Sequence, residues 1–168
     1  ERRFDLIECV GVLHHLDDPL AGWQTLVNLL RPEGFMLIGL YSEIARQHII
    51  LGRSLIAKKG YSSSPEDIRR CRQEVIGLAA DGNPAIAKIC DINDFFTTSE
   101  CRDLLFHVQE HRFTLPQIEA ALKSLNLKFL GFEMRDRNVV RKFKESHLNT
   151  NAPTSLSLWH KFELDNPD

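Results

Sequence analysis

Phe4-Asp5-Leu6-Ile7-Glu8-Cys9-Val10-Gly11-Val12-Leu13-His14-His15-Leu16-Asp17-Asp18-Pro19, then Trp23 to Pro32, then Phe35-Met36-Leu37-Ile38-Gly39-Leu40-Tyr41, is the stretch that decides the fold. Phe4 to Val10 is an apolar run of strand length. Phe35 to Tyr41 is nearly uninterrupted, the pattern of a parallel strand covered on both faces. Between them Asp18 can cap free amides and Pro19 has its φ preset for a first helical turn. Leu20, Trp23, Leu26, Val27 and Leu30 recur at helical spacing, so one face of that helix is buried. Arg31-Pro32-Glu33-Gly34 stops the helix and turns the chain. The reading is strand, helix, strand: a βαβ unit.

These residues resemble the class I S-adenosylmethionine-dependent methyltransferases. The resemblance rests on Phe4-Asp5-Leu6-Ile7, Val12-Leu13-His14-His15-Leu16, Asp18-Pro19 and Leu29-Leu30-Arg31-Pro32-Glu33-Gly34, which look like the family's fourth strand, the turn and helix after it, and the entry to its fifth strand. Glu33 stands where the family usually has glycine. The glycine-rich loop and the acidic residue that hold the cofactor's methionine and ribose in that family have no counterpart here. The resemblance therefore implies the C-terminal half of a Rossmann-like α/β sheet, with strands four to seven and the last antiparallel, carrying a large helical insertion. It implies S-adenosylmethionine as cofactor, contacted through Cys9, Val10 and Gly11.

Composition sets outer limits. With 43% hydrophobic and 26% charged residues, the 168-residue chain can bury a core. A net charge of −2 offers no bulk attraction to nucleic acid or to a membrane surface. Four cysteines without a C-x-x-C pair argue against a zinc site and a disulfide framework, and fit reduced thiols in the cytoplasm. No apolar run approaches the ~20 residues that span a bilayer.

Three regions follow: 1–41, strand–helix–strand; 42–127, a helical insertion or lid; 128–168, closing strands of the same sheet. In the second, Ser42 is expected to cap a helix ending at Lys59-Gly60, and Ser64-Pro65-Glu66-Asp67 to open another with Ile68, Cys71, Val75 and Leu78 inside. Pro84 to Cys90 reads as a short helix. Thr98 or Ser99 would cap a run from Glu100 to Val108, and Thr114-Leu115-Pro116-Gln117 is a capping box. In the third, Lys128 to Met134 reads as a strand weakened by Gly131, Asn138 to Leu148 as a helix or excursion, and Ser155 to Leu164 as a last strand.

Ligands of open α/β sheets bind beyond the carboxyl ends of the strands, here Cys9 to His15 and Tyr41 to Arg46. Methyl transfer needs an aligned acceptor and, for some acceptors, removal of a proton. His14 and His15 are the nearest candidate bases, against the plain alternative of one packed and one solvated imidazole. Tyr41 is a candidate for holding an acceptor, or merely ends a strand on the core. Arg46, Arg102 and His107 are candidate acceptor contacts from the insertion; the plain alternatives are a surface arginine and an internally paired helix. Helical spacing would put Asp103 beside His107. His107 and His111 have a metal-compatible spacing without a third ligand, so no metal is expected. Arg135, Arg137, Arg141, Lys142 and Lys144 form a basic cluster interleaved with acids, which reads as a solvated face rather than an RNA contact.

The leading expectation is a methyltransferase acting on a small molecule or protein. A non-catalytic structural or protein-interaction half-domain is the alternative, with its first strand an unpaired edge through which copies of the chain could associate. A nicotinamide-dependent oxidoreductase on a similar sheet is disfavoured by the Leu13-His14-His15-Leu16 and Asp18-Pro19 pattern.

Overall fold

Asp18 does cap the first helix: its carboxylate accepts from the Ala21 amide at 2.9 Å, and Pro19 occupies the first turn. The computed structural model describes residues 2–107, 109–134, 136–147 and 151–167. It is a mixed α/β chain. Strand β1 (Phe4–Val10), helix α1 (Pro19–Leu29) and strand β2 (Leu30–Gly39) form the expected βαβ unit, β1 and β2 running parallel with Leu6 opposite Phe35 and Val10 opposite Gly39. Leu30 is already strand, and Arg31-Pro32-Glu33-Gly34 is absorbed as a register irregularity between Phe4 and Leu6. Glu33 lies in the left-handed region at φ 61°, which explains why glycine suits that position.

The chain divides into two compact units, Glu1–Ile44 with His111–Asp168, and Ala45–Glu110. In the first, β3 (Tyr41–Ser42) pairs in parallel with β4 (Arg112–Phe113), and the Glu43 amide donates to the Phe113 carbonyl at 3.0 Å. Helix α6 (Leu115–Ser124) has the expected capping box, and Asn126 ends it at φ 54°. Although it falls within 42–127, α6 packs against the C-terminal helix of this first unit. Helix α7 (Arg137–Ser146) starts at an Asp136 cap. Val108, Arg135 and the 148–150 segment, on which several expectations fell, lie outside the described residues.

Two expected strands are absent. Ser155 to Leu164 is helix α8 (Leu156–Asp165): Ser155 caps it, accepting from the Leu158 amide at 3.4 Å, and Leu156 and Trp159 are buried three residues apart. That spacing is helical. Residues 128–134 carry no helix or strand; Phe129 and Met134 instead pack on the cluster of Leu115, Phe143, Ala152, Leu156 and Trp159. The two described sheets each have two strands, so a four-stranded order is not formed among the described residues. Nor is β2 covered on both faces. Met36 and Ile38 pack inward with Trp23, Ala121 and Leu125, whereas Phe35 is 58% exposed.

The second unit is helical: α2 (Gln47–Lys59), α3 (Pro65–Ala80), α4 (Pro84–Cys90) and α5 (Thr98–Leu105). Gly60 ends α2 at φ 69°, and Ser64 caps α3 through the Asp67 amide. Ser42 does not cap α2, whose N-cap position is Arg46. Ser42 Oγ instead accepts from the Ile44 amide and donates to Glu163. The cap of α5 is Thr97, one residue before the expected position; its hydroxyl accepts from the Glu100 amide and donates to the Glu100 carboxylate.

Ile49, Ile68, Cys71, Val75, Phe95 and Cys101 form this unit's core. Burial pushes the Cys71 thiol from its ordinary 9.0 up to about 12, with Cys101 and Glu74 adding to the effect, and burial pushes the Cys101 thiol up to about 11. A raised folded-state value means stability is intact below pH 9 and lost as pH rises toward 12, because the unfolded thiols ionise first. Amide exchange in α3 and α5 is therefore expected to accelerate progressively between pH 9 and 12 beyond its intrinsic base catalysis. Cys71→Val should flatten that dependence; an unchanged profile would show that these thiols are not buried.

Candidate functional site

The parallel pairing brings the carboxyl ends of β1 and β2 to one edge. Val10 and Gly39 are register partners there, and the chain leaves β1 through Gly11 at φ 77°, a left-handed turn that glycine adopts without strain. A Cβ on Gly11 would meet no atom within 4 Å, so the Cys9-Val10-Gly11 turn is sterically open on that side. Cys9 is buried and Val10 is 57% exposed.

Leu13, His14 and His15 then make a single 3-10 turn that drops Leu13 and His14 into the interior. His14 is 1% exposed. Its ring centroid lies 3.9 Å from that of Tyr41 at 31°, and 4.3 Å from that of His15 at 66°. His15 and Tyr41 stand 6.2 Å apart, nearly perpendicular. The His111 amide donates to the His14 carbonyl at 2.8 Å, tying this turn to the start of β4. The three candidate catalytic residues therefore form one aromatic cluster, with His15 the more solvent-accessible imidazole. Chemically, a half-exposed imidazole beside a phenol and an open glycine turn can hold a polar group and take up a proton.

The candidates from the insertion have other engagements. Arg46 makes a two-pronged pair with Glu110, at 3.0 and 2.8 Å, and Arg53 reaches the same carboxylate at 3.1 Å. The Glu110 side chain is 1% exposed, so this is an interior charge cluster of the helical unit. Arg102 donates to the Ser63 carbonyl at 3.2 Å. His107 lies beyond the end of α5, and its Nδ1 accepts from the Gln109 amide at 3.2 Å. The helical face expected to align Asp103 with His107 does not exist, because α5 stops at Leu105 and Phe106 caps it. Among the described residues no group of three or more His, Cys, Asp or Glu is placed to hold a metal ion, and no helix is long and apolar enough to cross a membrane.

Two residues that the sequence did not single out matter here. Glu110 closes the arginine cluster, and Glu163, from α8, accepts from Ser42 beside Tyr41. Neither contact has a local sequence signal, since 64 residues separate Glu110 from Arg46 and 121 separate Glu163 from Ser42.

No family model matches the sequence. An uncharacterized protein of Synechococcus sp. is similar to it, 31% identical over 180 aligned residues that cover 96% of this chain. The chain spans 40% of the length of that relative.

Proposed function

We propose that this chain contributes the edge of a cofactor-binding sheet in an S-adenosylmethionine-dependent methyltransferase. β1 and β2 stand for the fourth and fifth strands of a Rossmann-like half-domain, working on a small-molecule or protein acceptor in the cytoplasm. The observation that carries the reading is the parallel βαβ unit whose carboxyl edge gathers the open Gly11 turn and the His14, His15 and Tyr41 rings. Cys9, Val10 and Gly11 would line the cofactor near its reactive end, the exposed turn leaving room for it. When bound, S-adenosylmethionine supplies a methyl group already activated by its sulfonium. Tyr41 then orients the acceptor, His15 accepts the acceptor's proton, and buried His14 holds both rings in place.

A second reading is favoured by one observation. Along β1, Phe4, Leu6 and Val10 are 46%, 67% and 57% exposed, and one edge of the strand is unpaired among the described residues. That edge and face suit a non-catalytic half-domain that docks another chain or a second copy of itself.

Calorimetric titration with S-adenosylmethionine separates the two, run on this chain and on one extended upstream. The methyltransferase reading expects the extended chain to bind, and His15→Ala to lower the methylation rate by about 10²-fold, the usual contribution of a positioned base, while affinity for the cofactor stays put. Failure of both chains to bind removes the cofactor assignment and leaves the docking reading.

A further inference from the structure

Helix α7 carries its apolar and its charged residues on opposite sides. Phe143 is fully buried and Val139 packs on the same cluster as Leu115, Leu156 and Trp159, so the apolar face is spent inside the unit formed by residues 1–44 and 111–168. Arg137, Arg141, Lys142 and Lys144 are all exposed. Arg137, Arg141 and Lys144 recur at helical spacing, which sets them in one stripe, and with Val140 and Glu145 they line a single shallow hollow. At the helical rise per residue, their attachment points fall about 6 and about 4.5 Å apart along the axis.

Little carboxylate charge neutralises this stripe. Asp136 is engaged at the N-cap, accepting from the Asn138 amide at 2.8 Å. Glu145 is the one acid within α7; it lies 3.9 Å from Arg141 with both side chains 68% exposed, a pair that water screens. Arg137, Lys142 and Lys144 have no ionic partner among the described residues. A chain of net charge −2 therefore concentrates positive charge on one helix face.

We propose that the outer face of α7 binds the phosphodiester backbone of a nucleic acid, without reading its sequence. Guanidinium forks on successive turns suit phosphate oxygens. A strand repeats its negative charge every few ångströms, which matches a stripe of cations better than an isolated anion does. The only aromatic side chain of α7, Phe143, is buried, so nothing on this helix stacks on a base. A bilayer fits less well, because an interfacial helix buries its apolar face in lipid and that of α7 already covers Trp159. The surface stands whether or not the β1–β2 edge transfers methyl groups.

The test follows the fluorescence anisotropy of labelled single-stranded and duplex DNA, each about 24 nucleotides long, as the full chain is added at pH 7.5. Saturable binding to both is expected at about 50 mM salt. Between about 50 and 200 mM it should weaken about twentyfold for the single strand and about fortyfold for the duplex, the change that three neutralised phosphates give. Combining Arg137→Gln, Arg141→Gln and Lys144→Gln should abolish binding, with far-UV circular dichroism and tryptophan emission unchanged because Phe143 and Val139 still hold the helix. Glu145→Gln, which removes the one carboxylate of the hollow, should tighten binding about threefold, the scale of a surface charge pair. Absence of saturable binding by the native chain at about 50 mM salt overturns the proposal. So does binding that survives the triple variant in a folded chain. Equal binding to polyglutamate or to phosphatidylserine vesicles also overturns it, giving the face to an acidic protein or to a membrane.

Discussion

Glu110→Ala is expected to destabilise the helical unit by about 3–5 kcal/mol, the cost of breaking a buried ion cluster by removing one partner. At least three N–H groups, two from Arg46 and one from Arg53, converge on this carboxylate. The three side chains are 13%, 20% and 1% exposed for Arg46, Arg53 and Glu110, so solvent screening does not reduce the effect to the surface value of under about 1 kcal/mol. Removing the carboxylate leaves guanidinium charge in a site that water reaches poorly. Glu110→Gln should cost less, because its amide oxygen still accepts one of those bonds. Urea denaturation followed by circular dichroism, with amide exchange along α2, measures the difference. A loss under about 1 kcal/mol for Glu110→Ala would mean the cluster is solvated.

Phe143→Ala should have a comparable effect on the other unit, about 3–5 kcal/mol. Phe143 is completely buried and stacked on Trp159, with ring centroids 3.5 Å apart and planes 5° off parallel. His147 stacks on it at 4.7 Å, and Phe162 meets it edge-on at 5.4 Å. The substitution removes the fully buried apolar anchor of α7, a helix otherwise rich in Arg and Lys, and leaves Val139 as its partly buried contact with the same cluster. Trp159 emission should shift to the red as its ring becomes wet, and the urea midpoint should fall. Phe143→Leu, which keeps volume but not the stack, should recover more than half of the loss; no red shift in Phe143→Ala would show that the stack is not what covers Trp159.

The sequence made some features legible because their physics is local. Asp18, Ser64 and Thr114 cap helices as their spacing predicted, and Gly60 ends one, because a cap is settled within four residues. The βαβ unit was also readable, since its strand runs and its helix stripe differ in period. Ser155 to Leu164 was not. Leu156 and Leu158 fit an alternating strand and Leu156, Trp159 and Phe162 fit a helix, and the Ser155 cap with burial of Trp159 decides for the helix. Residues 128–134 have strand composition, but a strand requires a partner edge, which no composition supplies. For the site, His14 and His15 were adjacent in sequence, and Tyr41 joined them because parallel pairing sets the carboxyl ends of both strands at one edge. Arg46 looked available because its partner Glu110 lies on the far side of four helices in sequence.

The β3–β4 clasp has a consequence for how the chain comes to be folded. Tyr41 and Ser42 pair with Arg112 and Phe113, so everything from Ala45 to Glu110 is a loop tied off at its neck. Closing so long a loop costs entropy that grows only slowly with its length, and a loop already collapsed into helices has less left to lose. On the ribosome the helical segment emerges whole while the first unit is still missing everything from His111 on. The order of assembly is thus written into the threading: the inner segment can mature first, and the outer one waits for the final third of the chain.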